Sequence, residues 1–184
     1  MSQEMKSLNR FGLAAFTIPL LALLIILVSN DFLLIDYLHV LSAALWVGDN
    51  VFMGIIFYRV MNSLPESDRL DISRRLLPLT LYFMPSISVV TIVSGADLMS
   101  KVYAFIPSYL VYTVYALAAL LLIFVFGFFV PNSIIIYRNF TGDSHSSGDV
   151  IRRSMSNFRI ALVQAVVQIA MAGLMAYIVI VLLP

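Results

Sequence analysis

The chain has no cysteine in its 184 residues. Disulfides, thiolate zinc sites, iron–sulfur ligation and Cys-x-x-Cys redox chemistry are therefore excluded within it. Charge is scarce too. Asp, Glu, Lys and Arg supply 11% of the sequence, against about 25% in a soluble globular domain. The formal net charge is +1, which leaves no basic footprint for a nucleic-acid partner. Glycine-rich phosphate loops, zinc-protease motifs and nucleophile elbows are missing as well, so no motif indicates an enzyme class.

What the sequence has is apolar length. Hydrophobic residues make up 61% of it, where a soluble domain carries roughly 45–50%. A membrane-spanning helix needs about 20 apolar residues. Five segments qualify: Phe11–Val28, about Phe32–Met61, about Leu76–Ser100, Pro107 to about Tyr137, and about Ser154–Leu183. Their long unalternating runs favour helices over the strands of about ten residues in a membrane barrel. The expectation is an all-α, multi-pass protein of the cell membrane, folded as one domain of five helices. The first run is longer than the 7–15 apolar residues of a signal peptide, and "LVSND" offers no small-x-small cleavage site, so it is expected to stay as a helix.

With five spans, every basic residue except Lys101 falls on one side: Lys6, Arg10, Arg59, Arg69, Arg74, Arg75, Arg138, Arg152, Arg153 and Arg159. The positive-inside rule then puts the N-terminus in the cytoplasm and the C-terminus outside. The cytoplasmic loops are 62–75 and 138–153. In the first, Ser63 and Glu66 have capping-box spacing, and a short helix is expected to lead to Pro78 with Leu70, Ile72, Leu76 and Leu77 on the membrane surface. The second, "TGDSHSSGD", is small and polar, so it is expected to be mobile and to leave His145 solvated. Pro19, Pro85 and Pro131 lie inside spans and can kink them.

Polar residues recur inside the apolar runs. His39, Ala43, Trp46, Asn50, Met53 and Phe57 share one helical face by their three- and four-residue steps. Asp49 lies just beside it. Asn157, Ala161, Gln164, Gln168, Met171 and Met175 form a second stripe, and Met84, Ser88, Thr91 and Gly95 a third. The stripes are expected to face one another. Their polar groups can be interhelical glue worth about 0.6 kcal/mol per bond, or a functional seam. A charged Asp at mid-membrane costs about 2.5–3.5 kcal/mol, so Asp49 must find donors, be protonated or face a wet cavity. Gln164 and Gln168 are candidate donors. Two small pairs, Ala44 with Gly48 and Ala172 with Ala176, suit close helix contacts.

Asp36 stands three residues before His39, so its carboxylate can orient the imidazole as it would for a metal or haem ligand. The same spacing serves an ordinary hydrogen bond. His39 is the only histidine within a span, so a bis-histidine haem b cannot be built from this chain alone. A second ligand would be Met99, Lys101 or Met175, or come from a partner subunit. Met99 and Met175 with His39 could equally hold Cu(I), although methionines are mostly packing.

"LHVLSAALWVGDNVF" resembles the first family helix of the CopD-like membrane proteins, which include copper-resistance D domains and HemJ-type protoporphyrinogen oxidases. The matching residues are Leu38, His39, Ala43, Ala44, Trp46 and Gly48 of a Leu-His, small, Trp-x-Gly-Gly pattern. "VSGADLM" and "FFVPNSIIIYR" resemble later family segments. The resemblance covers about helices 2 to 5 and implies that His39 is a haem ligand. Asp49 stands where the family has its second glycine, and the later His-Lys pattern of HemJ-type enzymes is missing, which turns the expectation away from protoporphyrinogen oxidation. Three functions stay open: binding of haem or a metal, or support of electron or proton transfer, through His39 and Asp49; transport of copper or protons along the seam; and a non-catalytic subunit or scaffold in a homo-oligomer or larger membrane complex. In the first, Asp36 orients His39, Gln164 and Gln168 stabilise a polar ligand or Asp49, and Asn50 belongs to the same ligand-binding or relay set.

Overall fold

The structure is a computed structural model that describes residues 3–141 and 147–182. His145 lies with 142–146 outside the described residues, and the remainder of the expected loop 138–153 is helical, 138–141 ending one helix and 147–153 starting the next. Among those described, helix is nearly universal and no strand occurs. Five helices are long and apolar enough to cross a membrane. We number them α1 (Gln3–Ser29), α2 (Phe32–Ser63), α3 (Glu66–Val102), α4 (Ser108–Leu122, continuing through Ile123–Phe129 and Val130–Thr141) and α5 (Ser147–Tyr177, continuing through Ile178–Leu182).

Short connections make neighbours antiparallel. Asn30 takes a positive φ of 51° between α1 and α2, a conformation its short polar side chain tolerates. Asp31 then caps α2: its Oδ1 accepts from the N–H groups of Leu33 and Leu34 at 2.9 and 3.2 Å, which satisfies two orphan donors. A 3₁₀ turn, Tyr103–Phe105, joins α3 to α4.

The connection from α2 to α3 departs from expectation. Only Leu64 and Pro65 separate the two helices, and α3 starts at Glu66 rather than near Leu76. It passes Pro78 without a break, so there is no separate surface helix. The capping box does not form. Ser63 Oγ donates back to Val60 O at 2.7 Å, and Pro65 is the N-cap residue without a side-chain bond. Arg69 closes the turn instead, donating through Nε to Leu64 O and through Nη2 to Asn62 O, each at 2.8 Å. These are carbonyls that the end of α2 leaves unpaired. The expected surface face is interior. Ile72 and Leu76 pack on Met53, Met61 and Phe158, while Leu77 is buried with Ile136 and Val150, with Leu70 beside them.

α2, α3, α4 and α5 pack as a four-helix bundle, and α1 lies outside it along α3, with a lighter contact to α2. Trp46, Met84, Ile87, Leu121, Val125 and Phe129 fill the bundle's middle. Val40, Ile56, Val166 and Ile180 are more than half exposed on its outside. Such a girdle suits lipid and not water. α1 is fixed to α3 by Ser86 Oγ, which donates to Phe16 O at 2.8 Å, and by the edge-on contact of Phe16 with Tyr82. Ser86→Ala is expected to cost about 0.6 kcal/mol, the usual worth of such a bond in a membrane. Reversible unfolding in mixed micelles reads this, and a loss above about 2 kcal/mol would contradict it.

The small-residue pairs do not mediate contacts. Ala44, Gly48, Ala172 and Ala176 all lie on the exposed surface. Close approach occurs at Gly54, where a Cβ would fall 2.6 Å from Leu162 Cα and N. Gly54 lies within a π-helical segment, Phe52–Phe57, and a second such segment, Ile123–Phe129, precedes Pro131. In the latter the N–H of Val130 reaches back five residues to Val125 O. That wider turn lies where Pro131 supplies no N–H of its own.

A candidate polar seam through the bundle

The three polar stripes do meet inside the bundle. Ser88, Thr91, Asn50, Asn157, Gln164 and Gln168 are all buried. Along the bundle axis they form three groups, from the end with the Asn30 turn to the end with the Pro65 turn.

At the Asn30 end, His39 leans on α3. Its Nδ1 lies 2.9 Å from Thr91 O and 3.3 Å from Ser94 Oγ. A carbonyl only accepts, so Nδ1 carries a proton, and whenever the ring is neutral its lone pair is on Nε2. Gly95 makes the approach possible: a Cβ there would fall 2.6 Å from His39 Cε1. The expected partner, Asp36, is exposed and forms no hydrogen bond with the ring among the described residues. One turn separates this helix face from Asp97, whose Oδ2 lies 2.8 Å from Lys101 Nζ.

In the middle, Asn50 bridges α2 to α5. Its Nδ2 donates to Gln164 Oε1 at 3.0 Å and to Gln168 Oε1 at 2.9 Å. The glutamines thus serve Asn50 and not Asp49. Four buried polar atoms here find no partner among the described residues: Asn50 Oδ1, Gln164 Nε2, Gln168 Nε2 and Trp46 Nε1.

Toward the Pro65 end, Asp49 lines a cavity of about 30 Å³ together with Ser73, Thr80, Ser154, Asn157 and an apolar remainder that includes Met53, Met84 and Phe129. A cavity needs about 10–15 Å³ to hold one water. Ser73 Oγ is buried without a partner among the described residues. Asn157 continues the polar path outward: its Nδ2 donates to Ser133 Oγ at 3.0 Å and its Oδ1 accepts from Asn132 Nδ2 at 3.2 Å. Arg153 Nη1 donates to Asn132 Oδ1 at 3.1 Å, and Arg153 Nε to Asp149 Oδ2 at 2.9 Å. Asn132, Ser133, Ser73 and Ser94 were absent from the sequence-level candidates. The signal for Asn132 and Ser133 was their position directly after Pro131, between apolar runs.

Met99 is buried with Ile106, Leu110, Val114 and Ile178, and Met175 packs against the same cluster. Among the described residues no group of three or more His, Asp or Glu side chains gathers. His39 lines neither this cavity nor a larger one at the Pro65 end. As a donor, the imidazole offers one nitrogen, Nε2, and it belongs to no group of three or more His, Asp or Glu side chains among the described residues. No family model, curated protein or solved structure matches this chain.

Proposed function

We propose that this is a membrane protein that carries protons through its interior seam, with His39 and Asp49 as the two titrating stations. The observation behind this reading is the succession of three inward-facing polar groups along the bundle axis: His39 on Thr91, then Asn50 with Gln164 and Gln168, then the Asp49 cavity with the Asn157–Asn132–Arg153–Asp149 chain. At mid-seam four buried polar atoms have no partner among the described residues, so the seam holds hydrogen-bonding capacity beyond its own cross-links. His39 would take a proton on Nε2 while Nδ1–H stays on the Thr91 carbonyl. Asp49 would take it at the cavity, beside the unpaired Ser73 hydroxyl. Following the distribution of basic residues, the Pro65 end faces the cytoplasm.

The test is proton flux. Purified protein in liposomes holding a pH-sensitive dye, driven by a potassium–valinomycin potential, is expected to acidify or alkalinise the lumen faster than empty vesicles. Asp49→Asn removes the titrating group with little change of shape and is expected to slow the flux at least tenfold, equivalent to about 1.4 kcal/mol of barrier. Flux equal to empty vesicles, or unchanged in Asp49→Asn, would overturn the reading.

A second reading has its own support. A ring whose Nδ1–H is held by a backbone carbonyl presents Nε2 as a metal ligand does, and this matches what the CopD-like resemblance implies for His39. Haem b or copper bound there would supply electron transfer, with the second ligand coming from outside this constellation. A Soret band or stoichiometric copper that disappears in His39→Ala is the expected result. A colourless, metal-free preparation from cells supplied with haem precursors and copper would remove this reading.

A further inference from the structure

We propose that Trp46, Asn50, Gln164 and Gln168 form a binding station for water at mid-membrane. The proposal rests on the seam described above and names what occupies its middle. All four side chains are at most 4% exposed. Trp46 and Asn50 are one turn apart on α2, and Gln164 and Gln168 one turn apart on α5, joined by the two bonds from Asn50 Nδ2.

The chemistry selects the ligand. Asn50 turns one end of its amide toward both glutamines. If that end is the NH₂, what remains is one carbonyl on Asn50 and two NH₂ groups on Gln164 and Gln168. If the three amides are turned over, the same bonds form in reverse, and what remains is one NH₂ and two carbonyls. Both cases leave donors and acceptors together. The Trp46 N–H is a donor in either. A metal cation satisfies carbonyls only, and an anion satisfies N–H groups only. Neither finds a counter-charge in the cluster, and a lone ion in so apolar a setting is costly. The ligand must therefore be neutral and must both donate and accept. It must also be small, because Met84, Ile87, Leu121, Val125 and Phe129 pack around Trp46. Water meets every condition. It would accept from the indole and an amide NH₂ and donate to a free carbonyl, removing penalties of about 1–3 kcal/mol for each unpaired group.

Trp46 is the only tryptophan, so its indole N–H gives a single NMR signal. In ¹⁵N-labelled full-length protein in deuterated lipid nanodiscs, that proton is expected to show a dipolar cross-peak to water. Gln164→Leu with Gln168→Leu is expected to reduce the cross-peak at least threefold, and Gln168→Met serves if the double variant fails to fold. An indole proton in the wild type without a water cross-peak would overturn the station. The two proposals fail separately: proton flux without the cross-peak removes the water station alone, and the cross-peak without flux removes proton transfer alone.

Discussion

Gly54→Ala is expected to force α2 and α5 apart and to lower the unfolding free energy by about 3 kcal/mol. The methyl group would fall 2.6 Å from Leu162 Cα and N and 2.8 Å from its Cβ. Those are backbone atoms and the base of a side chain, so no rotamer change relieves the overlap. Only a helix shift does, and the shift would also stretch the Asn50 bonds one turn away. Helix propensity acts in the opposite direction, since alanine gains about 1 kcal/mol over glycine in a helix. Gly48→Ala isolates that gain, because nothing lies within 4 Å of a Cβ there. Two glycines six residues apart on one helix should thus respond with opposite signs. Unfolding of both variants in mixed micelles reads this directly, and a neutral Gly54→Ala would mean that the close approach is wrong.

Asn50→Ala should be nearly as damaging, by about 2–4 kcal/mol. Two bonds across the bundle are lost, at 3.0 and 2.9 Å. A bond of this kind averages about 0.6 kcal/mol in a membrane and reaches about 1.7. The remainder comes from two stranded glutamine amides and a cavity at a position that is 0% exposed. The distinguishing readout is a double-mutant cycle with Gln168→Leu. Coupling of about 1 kcal/mol or more is expected if the contact is direct. Additive losses would mean that the two residues do not meet.

Much of the architecture was legible because hydrocarbon imposes few choices. Long apolar runs must be helices, and three- and four-residue steps fixed which polar residues face inward. That reasoning correctly brought Asn50, Gln164 and Gln168 together. Of the two roles expected for the glutamines, the one toward Asp49 goes to Asn50 instead, because Asp49 and Asn50 are neighbours in sequence but point about 100° apart around the helix. His39 illustrates a different limit. Its partner is the Thr91 carbonyl, and a main-chain acceptor has no letter in the sequence, whereas Asp36 stood visibly three residues away. The start of α3 was misread for a third reason. Pro78 and the charged "SDRLDISRR" looked like a boundary, yet Arg69 closes the turn by reaching back to Asn62 and Leu64. The polar chain through Asn132 and Arg153 depends on which turn of α4 meets α5, and the π-helical segment before Pro131 sets that register.

The unbroken α3 has a geometric consequence. Its 37 residues make a rod about 55 Å long, nearly twice the roughly 30 Å of hydrocarbon it crosses. The turns near Asp71 and Arg74 therefore stand outside the hydrocarbon, on the same helix whose Gly95 lies against the imidazole ring.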